Sequence, residues 1–509
     1  MNQNKFINMT LLATVLIAVS ACSDSAKTLA ETTALVGDTQ TVTAVETEIH
    51  VPPLDIPDGT DYGGSTFTVE AVDNQNTVGR AILNQFSLEE ENGDILNDTV
   101  YKAVTSVEEL LNLQFVQLYS KSVFDYQNLR KVAQAGDPSI DVFSYIDRFG
   151  VNQAAGGYVI PYEDIPGINL EHPWWYSEVN DAISIADHLC YAVGAMNLDV
   201  VAGMNCLLFN KTILAENQLE NPYTLIDEGK WTVDRMYEMI ASAVKDIDGD
   251  GTMSIKDVWG AVYTHDCWYS NFGPLSGEFI VEKDKDDLPY LNVLGNEALI
   301  SIWQKLLGHT TTGNVFVVHN LGDTEIYKKD SSLYNEVLYM FMDGKSLFSS
   351  ASHLYDIALL RDMEDDFGIL PFPHTEEEAA GTVYGGYING VGQPFFVPSS
   401  NGDLERTGFV FEALCREYYV NVVNPYLEEV AMTKQVRDED SVRMLKMMNS
   451  WKVVDISCGY WWEQTNAQMY DVFKSGKDTF ASTYEKKRKA AETALEKTIE
   501  IFRGFDETP

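Results

Sequence analysis

One segment of the chain places acidic side chains at the spacing of a calcium-binding loop. Between residues 246 and 257, carboxylates stand at loop positions 1, 3 and 5 and a glycine at position 6, which is the EF-hand pattern. The predicted ligands are Asp246, Asp248, Asp250, Thr252 through its carbonyl, and Asp257. Aspartate at the last position is shorter than the usual glutamate, so we expect weak Ca²⁺ binding with a structural role. A solvated turn without metal is the alternative.

Neighbouring aromatic residues at the ends of predicted elements form a second candidate site. Aromatic rings stack on the apolar faces of sugars, and indole N–H groups can bond to hydroxyls. The candidate ligand-binding residues are Trp174, Trp175, Tyr176, Trp268, Tyr269, Trp461, Trp462 and the adjoining Glu463. Two adjacent bulky rings cannot both point inward from one extended strand, which favours a ligand surface. Packing of each ring into the core is the alternative.

Catalytic motifs are absent from the sequence. It contains no GxSxG, no HExxH, no Walker loop and no glycine fingerprint for dinucleotides. Carboxylates are abundant, but no spacing singles out a glycosidase pair. The sequence therefore predicts a binding protein without catalytic residues.

Alternating strand and helix patterns predict the elements that would position these residues. Strands are predicted at 65–72, 115–118, 140–144 and 206–210, with late strands at 368–372 and 392–397. Helices are predicted at 97–113, with an Asn97/Asp98 cap, and at 126–135, 211–218, 233–245, 404–420, 441–448 and 480–502. This order indicates α/β layers with a mostly parallel sheet, restarted as a second α/β unit at residue 206.

Composition limits the partners of the chain. The 509 residues include 77 acidic and 35 basic ones, a net charge of −42, which excludes a basic nucleic-acid surface. A neutral, weakly charged or cationic ligand is the expected partner. Five of the six cysteines lack CxxC or zinc-like spacing, and we expect most of them to be small buried residues.

The N-terminus has the pattern of an export signal. Lys5 precedes an apolar run at residues 9–19 that ends in small residues before Cys22, which predicts a signal peptide over residues 1–21. The run is shorter than the roughly 20 residues that a membrane span needs. Residues 19–22 resemble the bacterial lipobox, which implies a lipid on Cys22. Residues 22–64, rich in small and polar residues, predict a flexible tether. An ordinary cleaved signal is the alternative.

Several segments, in order, resemble the bacterial extracellular solute-binding proteins of ABC importers, the class that includes maltose-binding protein, and its clostridial members in particular. They are GDILND at 93–98, CLLFNK at 206–211 with NP at 221–222, GKWT at 229–232, the loop at 246 leading to WG at 259–260, and RDMEDDFGILPFP at 361–373. The resemblance implies an α/β, two-lobed, type II periplasmic-binding-protein-like fold with hinge strands and C-terminal helices. The implied lobes are 65–192 plus 384–440, and 193–383 plus 441–509, with crossings near 192–197 and 384–392.

The same resemblance implies a function. The two lobes would close on a carbohydrate, in our interpretation an oligosaccharide, and present it to a membrane permease. We expect a monomer held by its lipid at the extracellular face of the cell membrane. The alternatives are an adhesion or glycan-binding module with a dockerin-like loop, although dockerins carry two such loops in tandem, and a surface glycoside hydrolase.

Overall fold

Helices and strands alternate through most of the chain, which confirms the predicted α/β class. The computed structural model describes residues 51–73, 83–318, 333–351, 353–390, 392–431, 438–460 and 462–505. The strands are β1 (Ser65–Val72), β2 (Leu113–Ser120), β3 (Val142–Ser144), β4 (Cys206–Asn210), β5 (Trp259–Tyr263), β6 (Val281–Lys283), β7 (Pro289–Leu291), β8 (Val315–Val317), β9 (Ser346–Ala351), β10 (Phe367–Leu370), β11 (Gly386–Ile388), β12 (Phe395–Phe396) and β13 (Lys452–Val454). The helices are α1 (Ile95–Leu111), α2 (Gln127–Ala135), α3 (Gly150–Ala155), α4 (Ser177–Ile183), α5 (Leu198–Ala202), α6 (Lys211–Glu216), α7 (Pro222–Asp227), α8 (Val233–Ala243), α9 (His265–Tyr269), α10 (Phe272–Leu275), α11 (Glu297–Thr310), α12 (Leu333–Met342), α13 (Leu404–Asn421), α14 (Val423–Ala431), α15 (Glu439–Ser450), α16 (Ile456–Tyr460), α17 (Gln468–Ser475) and α18 (Phe480–Arg503).

The first sheet has the strand order β12-β3-β1-β2. β1 pairs in parallel with both β2 and β3, and β12 joins β3 in the antiparallel direction. On β1, the alternate residues Phe67, Val69 and Ala71 are buried, as the period of two predicts. The carboxyl ends of three parallel strands therefore meet at one edge of this sheet, after Val72, Ser120 and Ser144.

The second sheet has the order β10-β4-β9-β5-β8 and is mixed. β5 is parallel to β8 and β9, whereas β4 is antiparallel to both β9 and β10. Four of its five strands, β5, β8, β9 and β10, therefore run in the same direction, so the sheet is mostly parallel as predicted and β4 is the exception. Alternation of strands and helices constrains direction only where a helix returns the chain to the same sheet, and β4 arrives from the first sheet instead.

The chain passes between the two sheets more than once. It leaves the first sheet after β3 and enters the second at β4, and it returns between β10 and β12. Three segments meet along these passages: β11 pairs in parallel with β13, Ile388 forms a bridge with Met204, and the Asn205 N–H donates to the Tyr387 carbonyl at 2.9 Å. The passages thus lie beside each other at one small parallel sheet.

Most predicted elements exist, but several of their ends differ. α1 begins at Ile95 because the side chain of Asp94, and not of Asn97 or Asp98, caps it by accepting from the Asn97 N–H at 2.9 Å. α8 stops at Ala243, two residues early, because Lys245 forms a β-bridge with Val258. The strand predicted at 392–397 contains only the two residues of β12.

The cysteines lie inside the molecule. Cys190, Cys206, Cys267, Cys415 and Cys458 are all buried, which confirms their prediction as small buried residues. Among the described residues, no helix is both long and apolar enough to cross a membrane.

Candidate functional site

The acidic loop at residues 246–257 is closed at its base by backbone hydrogen bonds. Lys245 and Val258 exchange two such bonds, of 2.9 and 3.0 Å, directly before β5 begins. Within the loop, the Asp246 carboxylate accepts from the N–H groups of Gly249 (2.7 Å) and Gly251 (2.8 Å). The backbone at Gly251 is left-handed, with φ at +80°, a conformation that glycine adopts readily. The loop is therefore a fixed turn.

Three carboxylates converge in this loop. Among the described residues, Asp246, Asp248 and Asp250 place carboxylate oxygens within 4.8 Å of one another, and all three side chains are exposed. Calcium takes six to eight oxygen ligands, so these three carboxylates can supply at most about half of them. Carbonyl groups and water would have to supply the rest.

Asp257 does not join the three convergent carboxylates. It is buried, and its carboxylate accepts from the Ile247 N–H at 2.9 Å and from the N–H and hydroxyl of Ser254 at 2.7 and 2.9 Å. These hydrogen bonds, led by the one from Ile247, lower the pKa of Asp257. Asp257 therefore closes the loop through hydrogen bonds in this structure, whereas the sequence predicts that it is a metal ligand.

The first aromatic group surrounds a buried carboxylate. The indole N–H groups of Trp174 and Trp175 donate to Glu412 of α13 at 2.9 and 2.7 Å. The same carboxylate accepts from the Asn169 N–H at 2.8 Å and bonds to His172 Nδ1 at 2.8 Å. Glu412 therefore joins the segment before α4 to α13 through four hydrogen bonds, and both indole rings are buried around it.

The other predicted aromatic residues that can be described also lie in the core. Trp268 stacks on Tyr263 with ring centroids 4.2 Å apart and donates to the Tyr237 hydroxyl at 3.0 Å. Tyr269 stacks on Phe473 at 3.5 Å. The side chains of Tyr176, Trp268, Tyr269 and Trp462 are all buried.

Trp462 and its neighbour differ in exposure. The Trp462 N–H donates to the Thr498 hydroxyl at 2.9 Å inside the molecule, whereas Glu463 is exposed, with a left-handed backbone. Trp461 and Cys22 lie outside the described residues.

The expectation that two adjacent rings cannot both point into the core is wrong for these positions. Trp174 lies in a turn, Trp175 in a single β-bridge to Gly194, and Trp268 and Tyr269 on the helix α9, so the alternation of an extended strand does not apply. Both rings of a pair can therefore turn inward. In this conformation none of the six offers an open ring face, and a ligand-binding role for them stays a prediction.

A different set of residues stands at the carboxyl edge of the first sheet. The 3₁₀ helix Asp147–Phe149 follows β3 and carries Arg148 and Phe149. The loop after β2 is held beside it, because the Ile146 N–H donates to the Val123 carbonyl at 3.1 Å. The next residue of that loop, Phe124, contacts Phe149 edge to face with centroids 6.2 Å apart. Binding residues in α/β proteins commonly occupy such strand ends.

Asp266 and Tyr334 stand at the corresponding edge of the second sheet. β5 runs into α9, which carries Asp266, and the Tyr334 hydroxyl donates to its carboxylate at 2.5 Å. Burial raises the pKa of Tyr334, the neighbouring Cys267 and Asp266 raise it further, and the positive charge of Arg148 opposes this rise. Arg148 of the first edge is thus within electrostatic range of Tyr334 of the second.

Exposed aromatic rings concentrate at these two edges. Among the described residues, the exposed aromatic side chains are Tyr119, Phe124, Phe149, Tyr290, Tyr334 and Trp451. Four of these six lie at the two edges. Tyr119 is near the end of β2, Phe124 follows β2, Phe149 follows β3, and Tyr334 contacts Asp266. Phe124 is 55% exposed, and Phe149 and Tyr334 are each 38% exposed. The open rings at the two edges therefore belong to Tyr119, Phe124, Phe149 and Tyr334, and not to the tandem tryptophans.

Buried amides add polar groups to the first edge. Asn84 donates to the Ser144 hydroxyl at 3.3 Å, and that hydroxyl donates to the Gln393 carbonyl at 2.9 Å. Asn84 Oδ1, Gln85 Nε2 and Gln393 Oε1 are buried and find no hydrogen-bond partner within the described part of the chain. These amides place polar atoms beside the last residue of β3.

Solved structures share this architecture. The maltose-binding periplasmic protein of Listeria monocytogenes, in complex with maltose, is 13% identical, with a TM-score of 0.53 over 85% of this chain and 98% of the other. A cyclo/maltodextrin-binding protein complexed with maltotetraose is 14% identical, with a TM-score of 0.51 over 87% and 98%. A sugar transporter of Rhizobium etli in an open conformation is 12% identical, with a TM-score of 0.51 over 86% and 99%.

The chain has the two-lobed type II periplasmic-binding-protein fold. This confirms the predicted fold. No protein-family model and no curated protein matches the sequence. We expect each main sheet to build one lobe, with the first and second edges on opposite lobes and the segments around β11 and β13 between them. The exact lobe boundaries stay a prediction.

The sequence prediction missed Arg148, Asp266, Phe124, Phe149 and Tyr334. One signal was present, because residues 147–149 directly follow the strand predicted at 140–144. Searching for polar and aromatic residues directly after predicted parallel strands would have found Arg148 and Phe149. Nothing local to Tyr334 indicates its contact with Asp266.

Proposed function

We propose that this chain is the substrate-binding component of an ABC importer and captures a carbohydrate between its two lobes. The observation that carries the proposal is the two-lobed fold, with Arg148 directly after a strand of the first sheet and the hydrogen-bonded Asp266–Tyr334 pair at the carboxyl edge of the second. Charged and hydroxyl groups can bond to sugar hydroxyls, and the open rings of Phe149 and Tyr334 can pack on their C–H faces. Two of the similar solved structures are complexes with maltotetraose and maltose.

Closure follows from this division of the site. A ligand that contacts both lobes makes all of its contacts only when the lobes are closed, so its binding shifts the population toward the closed form. The segments around β11 and β13 are the place where the backbone would bend. A membrane permease would then recognise the closed form.

Titration calorimetry tests this proposal. The purified protein is titrated with monosaccharides and with oligosaccharides of several linkages, and we expect at least one glycan to bind with 1:1 stoichiometry. Arg148→Ala should weaken that binding at least tenfold, because a charged hydrogen-bond donor is lost. Arg488→Ala, which removes an exposed arginine from α18, is the matched control and should bind like the parent.

Two outcomes would contradict the proposal. One is the absence of binding across the panel, and the other is catalytic release of reducing ends from any glycan, which would favour the glycoside hydrolase alternative. A binding protein returns its ligand unchanged.

We also propose that the protein is anchored at the extracellular face of the membrane by a lipid on Cys22. The pattern of small residues before this cysteine supports the proposal. Expression with a labelled fatty acid should label the parent, whereas Cys22→Ser should remain unlabelled and be released from the membrane fraction. Cys206→Ser, which changes a buried cysteine, is the control and should stay labelled.

A structural Ca²⁺ at the 246–257 loop is a further part of the proposal. The convergence of Asp246, Asp248 and Asp250 supports it. An ion there would neutralise three adjacent negative charges and fix the turn between α8 and β5. Its role would be to stabilise the second lobe, since the loop precedes a strand of that lobe's sheet.

A further inference from the structure

Four consecutive basic residues lie on α18, and we name them the basic surface. They are Lys486, Lys487, Arg488 and Lys489, and all four are exposed. No other run of basic residues in the sequence is longer than two, and the whole chain carries a net charge of −42. The basic surface therefore concentrates positive charge at one place on a strongly acidic protein.

The lysines of the basic surface form no ion pair. Among the described residues, only Arg488 of the four does so, with Glu485 at 3.4 Å and Glu492 at 3.9 Å. Like charges three positions apart on a helix, such as Lys486 and Lys489, repel each other and destabilise it slightly. Other exposed lysines do pair with a carboxylate, namely Lys102, Lys230, Lys285 and Lys446. The three unpaired charges are thus available to a partner outside the chain.

The helix holds these charges in a fixed position. Trp303 of α11 packs against Phe480 and Tyr484 with ring centroids 5.3 and 5.7 Å apart, and the Tyr484 hydroxyl donates to the Thr465 carbonyl at 2.9 Å. None of the exposed large apolar side chains in the described part of the chain lies on α17 or α18. The apolar face of α18 is therefore used inside the molecule, and its outer face can act on a partner only through charge.

The composition of the basic surface favours a layer of lipid headgroups over an acidic protein. The centre of a protein interface is rich in aromatic residues and arginine and poor in lysine. Three of the four residues here are lysines, and no exposed apolar side chain accompanies them on the helix. Lysine is a hydrated point charge on a flexible stem, which suits mobile anionic headgroups that offer no fixed geometry.

We infer that the basic surface binds the anionic headgroups of a lipid bilayer and orients the protein on the membrane. The inference goes beyond the capture of a carbohydrate, and the choice of a membrane as partner rests on the proposed lipid on Cys22. Such attraction falls off within about 8 Å at physiological salt, so the lipid would have to keep the chain close to the bilayer. The acidic remainder of the chain would be repelled, which leaves the face with α18 nearest to the headgroups.

Co-sedimentation with vesicles tests the inference. Every arm carries Cys22→Ser, so that no lipid on the protein masks binding through the basic surface. Vesicles of phosphatidylcholine with about 30% phosphatidylglycerol are compared with vesicles of phosphatidylcholine alone. At low ionic strength the parent should bind the anionic vesicles at least tenfold more tightly. About 0.5 M salt should remove most of this preference, because it screens the charges.

The test variant combines three substitutions in the basic surface, Lys486→Ala, Lys487→Ala and Lys489→Ala. Each lysine near an anionic surface contributes about fivefold to binding, so the variant should bind the anionic vesicles at least tenfold more weakly than the parent. Alanine has the highest helix propensity, so α18 should remain folded, which circular dichroism checks.

A matched control removes the same charge from other places. It combines substitutions of three exposed lysines outside α18, namely Lys230→Ala, Lys285→Ala and Lys446→Ala. Its net charge equals that of the test variant, and it should bind the anionic vesicles within twofold of the parent. A difference between the two variants therefore reports the position of the charges and not their number.

Four results would overturn the inference. They are equal losses in the two triple variants, equal binding of the parent to neutral and anionic vesicles, no binding to either, and binding to soluble polyglutamate without binding to vesicles. The last result would assign the basic surface to an acidic protein.

Failure of this inference can be told apart from failure of the proposed function. Both triple variants should bind a glycan like the parent, because neither changes a residue of the proposed sugar site. If no glycan binds to the parent, the receptor function fails whatever the vesicles show. If the parent takes up no labelled fatty acid, the lipid on Cys22 fails, and the vesicle experiment still decides whether the basic surface binds anionic lipid.

Discussion

Two groups of aromatic residues in this protein differ in their exposure to solvent. The core group consists of Trp174, Trp175, Tyr176, Trp268, Tyr269 and Trp462, all buried, and the edge group consists of Phe124, Phe149 and Tyr334, all exposed. The core group contains the conspicuous tandem residues, and the edge group contains single aromatic residues that attract no notice in the sequence. Clustering along the chain therefore does not predict exposure.

Internal polar partners explain the difference. Each tryptophan of the core group donates to an acceptor inside the molecule: Glu412, the Tyr237 hydroxyl or the Thr498 hydroxyl. An indole can be buried once its N–H is satisfied, and its large area then stabilises the core. The edge residues stand at strand ends, where neighbouring elements leave their rings uncovered.

The largest contrast should be seen in stability. Trp268→Ala should lower the free energy of unfolding by about 4–5 kcal/mol, because it removes a ring stacked on Tyr263 and leaves a cavity. Phe124→Ala should lower it by less than about 1 kcal/mol, because much of that ring is already in water. Urea unfolding followed by circular dichroism measures both. Equal losses in the two variants would remove the distinction between the groups.

Glu412→Ala should produce the next largest effect. The change leaves two indole N–H groups and the Asn169 N–H buried without their acceptor, so we expect a loss of about 3–4 kcal/mol. Glu405→Ala, an exposed residue in the first turn of α13, is the matched control and should cost less than about 1 kcal/mol. The role of Glu412 as a buried anchor is refuted if both variants unfold at the same urea concentration.

Tyr176 of the core group allows a test by pH. Lys452 of β13 is 3% exposed, and its Nζ lies 3.8 Å from the centroid of the Tyr176 ring and 4.0 Å from Glu178. Burial lowers the pKa of Lys452 from 10.5 to about 8, and Glu178 opposes this shift. Below pH 8 both the folded and the unfolded chain carry the proton, so the cost of burying the charge is fully present.

Between pH 8 and 10.5 the folded chain has released a proton that the unfolded chain still holds, so stability should rise with pH. At about 1.4 kcal/mol per pH unit, the rise should amount to roughly 2–3 kcal/mol across this window. Lys452→Met should remove that rise, which is measured as the difference between the two unfolding profiles. Lys285→Met, an exposed lysine that pairs with Asp286, is the control. Parallel profiles for the parent and Lys452→Met would contradict the assignment.

The smallest expected effect is the stabilisation by Ca²⁺, which compares an exposed carboxylate with a buried one. Exposed, convergent Asp248 should bind Ca²⁺, whereas buried Asp257 should hold the loop through hydrogen bonds. With a dissociation constant of about 1 mM, 10 mM Ca²⁺ should stabilise the parent by about 1.4 kcal/mol. A thermal shift measures this gain.

Asp248→Ala should abolish the calcium response. Asp286→Ala, which removes one exposed acidic residue elsewhere, should retain it. An Asp248→Ala variant that responds to calcium like the parent would contradict the metal assignment.

The sequence predicted the regular elements better than the site. β1 and β4 were located to the residue, and α13 and α18 to within one residue, because their periodicity and caps are local. In the second sheet only β4 departs from the predicted mostly parallel arrangement, since its direction depends on where the chain enters from the first sheet. Arg148 and Asp266 are far apart in sequence and become neighbours only through the arrangement of two lobes, which no local pattern encodes.

The two sheets also differ in how much of the chain must exist before each can form. All strands of the second sheet come from one continuous stretch, β4 to β10, whereas the first sheet needs β12, and the bond from Ser144 to Gln393 spans 249 residues. Closing so long a loop is slow. During synthesis the second sheet can therefore be complete while the first still lacks its last strand, and the edge of β3 stays unpaired until residue 396 emerges.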